Sequence, residues 1–152
     1  MADQIDIREI SGCTCLRARR ASRHLTQIYD RALKPVGLTV NQFGLLANLH
    51  GVSLAGRRSL SIGALAERLG LDPTTLNRNL KPLATQRLIA DEADPEDKRV
   101  RAVRITDKGV ARLRKAVPLW RGVQAQVREA LGADATLALN DSLGLAAAKL
   151  AR

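Results

Sequence analysis

LSIGALAERLG at residues 60–70, LDPTTLNRNLKPLATQRLI at residues 71–89 and ADEADPEDKRVRAVRI at residues 90–105 place two helix starts and a charged hairpin in close succession. Ser61 can cap a free helical amide, and Ile62, Leu65, Ala66 and Leu69 fall at i, i+3, i+4 and i+7, the spacing of one apolar helix face. Gly70 closes that helix, because glycine takes positive φ past a C-terminus without steric penalty. Asp72 and Pro73 supply the second start, a carboxylate at the N-cap and a proline at N1, where no amide hydrogen bond is lost. Two helices joined by so short a turn must cross steeply. That is the geometry of a helix-turn-helix, whose second helix can enter a major groove.

In the second helix Leu76, Leu80 and Leu83 turn inward, which leaves Thr74, Thr75, Asn77, Arg78 and Lys81 outside. Hydroxyls, an amide and cations are the groups that meet base edges and phosphates; Arg78 suits a guanine and Asn77 an adenine. The competing reading is an ordinary polar surface. Pro82 removes an amide donor inside this helix and predicts a kink or an early loosening there. Next, Leu88–Ala90 and Arg101–Ile105 read as short strands around the polar tip Asp94–Arg99, a wing. Arg99 stands near its tip, where a guanidinium can enter a narrow minor groove, with Asp97 placed to hold it. Lys98 and Arg101 add cations beside it, and Ser61 lies at the start of the first helix, so the expected DNA-facing set comprises Ser61, Thr74, Thr75, Asn77, Arg78, Lys81, Asp97, Lys98, Arg99 and Arg101.

The totals agree with a polyanionic partner. The 152 residues carry a net charge of +10, from 25 Lys and Arg against 15 Asp and Glu, and neutralised phosphates release counterions. Only 2% of residues are aromatic, too few for a stacking platform that binds single strands. No apolar run reaches the ~18 residues of a membrane span, and the N-terminus lacks a basic-then-apolar signal pattern, so the expectation is a cytoplasmic protein with no membrane partner. Two histidines, His24 and His50, give no metal set and no catalytic constellation, so neither a cofactor nor an enzymatic activity is expected. Gly51 and Gly56 share the spacing of a phosphate-binding loop, but Arg57 and Arg58 stand where that motif needs Lys and Ser or Thr.

Outward from the central stretch, a helix is expected from Cys13 to Leu33, with an apolar stripe of Ala21, Leu25, Ile28 and Ala32 and a solvated face of Arg17, Arg19, Arg20, Arg23 and Arg31. Pro35 and Gly37 stop it. Thr39 and Gln42 then have capping-box spacing, with Leu38 and Phe43 as a hydrophobic staple. That helix is expected to run to about His50 on an inner stripe of Phe43, Leu46, Ala47 and His50, followed by a loop from Gly51 to Ser59. Thr106 can cap a long helix kinked at Pro118; Gly132 ends it and Asp134 can cap another. These terminal helices carry more apolar length than a compact winged helix can cover.

In this order the helix-turn-helix Leu60–Leu88, the wing Asp94–Arg99, the closing Ile105-Thr106-Asp107-Lys108-Gly109 and the upstream Gly37–Phe43 resemble the MarR family of bacterial transcription regulators, across nearly the whole chain. After Leu83 the family often has an acid and then a glycine; here stand Ala84 and Arg87. The resemblance implies a mainly α fold with a small β-hairpin wing, a winged helix-turn-helix flanked by dimerisation helices. Residues 1–152 then form one domain, with a DNA-binding lobe at about 38–106 and a helical dimerisation region at about 5–34 and 107–152. It implies a homodimer joined through Ile5, Ile7, Val117, Trp120, Val127, Leu131, Leu137, Leu143 and Leu150, most often a repressor on a pseudopalindromic operator in double-stranded DNA. It also implies a pocket for a small aromatic or phenolic effector between the dimer helices and the DNA-binding lobe. Two alternatives stay open: an oxidant sensor acting through Cys13 or Cys15, and a winged helix that binds protein rather than DNA.

Overall fold

The computed structural model describes residues 5–151. A short helix α1 (Ile7–Ser11) leads into α2 (Thr14–Leu33), which begins at Cys13 without a side-chain cap. A 3-10 turn over Lys34–Val36 ends at Gly37, where φ is +66° and a Cβ would be strained. Helix α3 (Val40–Leu54) starts with both halves of the expected capping box, the Thr39 and Gln42 side chains each bonded to the other's backbone amide. Asp30 on α2 adds a third acceptor, taking the Val40 amide at 2.7 Å and fixing α2 against the start of α3.

After β1 (Leu60–Ser61) come α4 (Ile62–Leu69) and α5 (Pro73–Thr85), the expected helix-turn-helix. Each start is capped as its residues require: Ser61 Oγ accepts from the Ala64 amide, and Asp72 accepts from the Thr75 amide. Gly70 takes φ +60° between them. Strands β2 (Ile89–Ala93) and β3 (Arg101–Ile105) form the wing, paired antiparallel with Ile89 opposite Ile105 and Ala93 opposite Arg101. Helices α6 (Asp107–Leu131) and α7 (Ala133–Leu150) complete the chain. Leu33, Leu45, Leu46, Leu65, Leu76, Leu80, Leu83, Leu88 and Val103 are fully covered, so one core joins α2, α3, both helix-turn-helix elements and the sheet. At about 1.5–3 kcal/mol per large apolar side chain removed from water, this leucine core is the main stabilising term.

Several expectations are corrected. The wing hairpin β2–β3 is present as expected, and what was not foreseen is that β1 pairs with β3, Leu60 opposite Val103, giving a three-stranded sheet in the order β1-β3-β2. A two-residue strand has too few positions to show a period, and its partner strand lies beyond the whole helix-turn-helix. Helix α3 runs through Gly51 to Leu54, so the loop is shorter than expected; its buried positions are Leu45, Leu46, Leu49 and Val52, while Phe43, Ala47 and His50 are only partly covered. The tight packing of Val52 outweighs the low helix propensity of Gly51. The long helix expected after Thr106 is found, α6 running through Pro118 to Leu131 and ending at Gly132, and α5 runs through Pro82 to Thr85. Burial of Leu83 after the one proline and of Val123 after the other offsets the amide bond that each removes. Asp134 does not cap α7, whose N-cap is Gly132 at φ +87°, because the helix begins at Ala133, one residue before the carboxylate.

The junction between the wing and α6 explains the Ile105–Gly109 motif. Thr106 caps α6 by accepting the Gly109 amide at 3.1 Å, while its hydroxyl reaches the Arg87 carbonyl at 2.8 Å. A Cβ on Gly109 would lie 2.1 Å from the Leu88 carbonyl oxygen, so only glycine lets α6 sit this close to the end of the helix-turn-helix. Arg87, standing where the family often has glycine, takes φ +57°, and its amide bonds to the Ala84 carbonyl at 2.8 Å. Among the described residues no helix is long and apolar enough to cross a membrane.

Candidate nucleic-acid interface

The outer face of α5 and the wing meet at one bond. Arg101, first residue of β3, donates through Nε to Asp91 Oδ1 at 2.7 Å and through an Nη to Asn77 Oδ1 at 2.8 Å. The wing is thereby tied directly to α5. Nothing in the spacing of the sequence signals this contact.

The remaining expected residues separate by what their side chains already do. Ser61 is partly buried, and its Oγ accepts the Ala64 amide at 3.2 Å in the α4 cap. The Thr75 hydroxyl donates to Asp72 Oδ2 at 2.6 Å, which leaves it lone pairs and no proton for a nucleic acid. That bond first, and then the Thr75 amide, hold the Asp72 carboxyl below its ordinary value. Asp97 accepts the Arg99 backbone amide at 3.0 Å, a hold on that residue through its backbone and not its guanidinium. It works with Asp94, which accepts the Glu96 amide at 2.9 Å, and with the Asp94–Val100 backbone bond at 2.8 Å to shape the tip. Short acidic side chains that bond nearby amides are turn formers, and here they present Lys98 and Arg99 outward.

Thr74, Arg78, Lys81, Lys98 and Arg99 are all exposed. Among the described residues, no carboxylate pairs with the cationic groups of Arg78, Lys81, Lys98 or Arg99. Elsewhere on the sheet the arginines are paired: Glu92 receives Arg58 at 3.1 Å and Arg104 at 3.2 Å. Partial burial works against the Glu92 charge, and hydrogen bonds with the two guanidinium charges more than reverse it, so its pKa falls below the ordinary value. Arg58, Glu92 and Arg104 were not expected to act together, because the unanticipated β1 brings Arg58 to this sheet. Among the described residues no group of His, Cys, Asp and Glu is arranged to hold a metal ion.

The residues expected at a subunit interface fall into two sets. Ile5, Ile7, Leu131, Leu137, Leu143 and Leu150 are exposed in the single chain, Ile5 at 73% and Leu150 at 80%. Val117, Trp120 and Val127 are partly covered by their own chain, and Trp120 stacks on Phe43 with ring centroids 5.9 Å apart. Cys13 and Cys15 are both exposed and form no disulfide.

A winged helix-turn-helix that turns outward, from both α5 and its wing, cations without a carboxylate partner among the described residues has the make-up of a DNA-binding regulator. The chain belongs to the MarR family of transcription regulators: it matches the MarR family model over residues 36–100. It is 43% identical to the M. tuberculosis transcriptional regulator MosR, solved in complex with DNA, over 91% of this chain and 97% of that one, with a TM-score of 0.76. The transcriptional repressor CouR, solved on a 23-mer DNA duplex, is 26% identical over 99% of this chain and 100% of its own, with a TM-score of 0.77. BpsR from Bordetella bronchiseptica, whose DNA binding is regulated by 6-hydroxynicotinic acid, shares the fold at 21% identity and a TM-score of 0.75, over 92% of this chain and 94% of its own. No curated protein sequence matches the chain.

Proposed function

We propose that the protein is a homodimeric repressor in the cytoplasm that reads a pseudopalindromic operator and releases it when a small aromatic effector binds. The observation that carries the DNA-binding reading is the contrast in charge pairing. Arg58, Arg101 and Arg104 have carboxylate partners, whereas Arg78, Lys81, Lys98 and Arg99 have none among the described residues and all face outward. Unpaired cations on one side are what phosphate binding requires. Arg78 is the candidate for a guanine edge, Thr74 and Asn77 assist at the bases, and Arg99 enters the minor groove from the wing.

Dimerisation is supported by the exposed leucines and isoleucines of α1 and α7, since a lone chain rarely leaves so many large apolar side chains in water. An effector site is supported by an open groove of about 530 Å³ between α2 and α6, lined by Ile28, Arg31, Ala32, Pro118, Leu119 and Val123. That combination suits an aromatic ring bearing an acid. In a second reading the input is oxidation of Cys13 or Cys15, supported by their exposure two residues apart at the start of α2. Treatment with peroxide that leaves DNA affinity unchanged removes it.

A gel-shift titration on the upstream region of the protein's own gene tests the main reading. Arg99→Ala lowers affinity for every sequence and flattens the salt dependence by about one unit of slope; Arg78→Ala also relaxes base preference, at a cost of about 1–3 kcal/mol. If both variants bind as the parent does, the chain is not an operator reader, and the protein-binding alternative takes its place.

A further inference from the structure

Arg101 makes both of its side-chain bonds within the protein. A guanidinium has five donors and no acceptor, so the atom it meets on Asn77 at 2.8 Å is the amide oxygen. The bond therefore fixes which way round the Asn77 amide lies, a choice otherwise free for an exposed asparagine. The guanidinium is itself held, because Nε bonds Asp91 Oδ1 on the neighbouring strand at 2.7 Å. Asp91 and Arg101 both belong to the wing sheet, whose strand register is fixed by the Ile89–Ile105 and Ala93–Arg101 pairs. The orientation of one recognition-helix side chain is thus set from the wing.

From this geometry we infer that Arg101 is a positioning residue for base selection: it orients the Asn77 amide so that Nδ2 and the free lone pair of Oδ1 present one fixed donor–acceptor pattern to the major groove. This rests on the operator-reading function proposed above. An asparagine free to flip presents two mirror patterns and discriminates poorly between bases, whereas a held one selects a single pattern. Asn77 supplies the contact. Arg101 supplies the specificity, and Asp91 supports it one bond further back.

Selection of bound sequences from a random double-stranded DNA pool tests this, using the intact protein, Asn77→Ala, Arg101→Met, Asp91→Asn and the Asn77→Ala/Arg101→Met double variant. The intact protein enriches a motif, and Asn77→Ala erases about tenfold discrimination at one position of each half-site. Arg101→Met reduces discrimination at that same position to below about threefold, Asp91→Asn reduces it less, and the double variant is no flatter there than Asn77→Ala. Thermal unfolding of each variant confirms that it folds. The inference is overturned if Arg101→Met weakens all sequences evenly without changing any position, which makes Arg101 a plain phosphate contact, or if Asn77→Ala keeps the full motif. Failure of the intact protein to enrich any motif overturns the operator-reading function itself, and this inference with it.

Discussion

Replacing Gly109 with alanine sets two effects of opposite sign against each other. Gly109 lies in the first turn of α6, and a helical glycine changed to alanine gains about 0.8–1 kcal/mol from propensity alone. The added Cβ, however, would stand 2.1 Å from the Leu88 carbonyl oxygen, 3.1 Å from the Leu88 carbonyl carbon and 2.7 Å from Ile105 Cγ1. Normal contact needs far more room than this, against backbone that cannot rotate away. The same Leu88 oxygen accepts the Thr106 amide at 3.1 Å, so moving it strains a hydrogen bond as well. Overpacking of this kind costs about 3 kcal/mol, which outweighs the propensity gain and leaves a net loss of about 2 kcal/mol. For a chain of this length the melting temperature falls by about 4–8 °C. Calorimetry at fixed protein concentration measures the shift, with Gly63→Ala as the control. Gly63 lies in α4 with nothing within 4 Å of the point where a Cβ would stand, so that variant gains about 0.5–1 kcal/mol. A Gly109→Ala protein that melts at or above the parent temperature refutes the close approach of α6 to the end of the helix-turn-helix.

Three further outcomes follow from single features. Arg87→Gly relieves a left-handed residue at φ +57° and raises stability by up to about 1 kcal/mol in chemical denaturation; a loss of stability contradicts the strain. Asp72→Asn is less stable than the parent at neutral pH, because hydrogen bonds to Thr75 favour the charged carboxylate in the folded state. A depressed folded pKa means that this contribution is present above the ordinary value of 3.8 and lost as pH falls through the lower folded value, so the gap between the two proteins closes in acid; a gap independent of pH counts against it. Leu137→Glu combined with Leu143→Glu, at positions 63% and 47% exposed, sediments as a monomer where the parent sediments as a dimer; an unchanged dimer places the interface elsewhere.

The helix-turn-helix was legible because its determinants are local. Ser61, Gly70, Asp72 and Pro73 each act on the nearest turn of backbone, and Leu76, Leu80 and Leu83 repeat on a helical period, so sequence spacing alone places them. The wing strands and the Thr39–Gln42 box were legible for the same reason. The α3 C-terminus was not, since burial of Val52 outweighs the local signal of Gly51. Residues quoted as DNA contacts were legible as chemistry but not as availability. Ser61, Thr75 and Asp97 have the right groups, and each has already committed a group to the backbone or to a neighbour.

By itself the sequence determined the order of elements, their caps, the inward leucines and the cationic outer face, because each depends on residues within a turn or two of one another. The tertiary structure decided the third strand, the pairing of Glu92 with Arg58 and Arg104, and the bond from Arg101 to Asn77. Arg101 and Asn77 stand 24 positions apart in the chain, and Arg58 and Glu92 stand 34 apart. No local pattern can encode such a contact, whose geometry exists only once the core has set the distance between the elements that carry it.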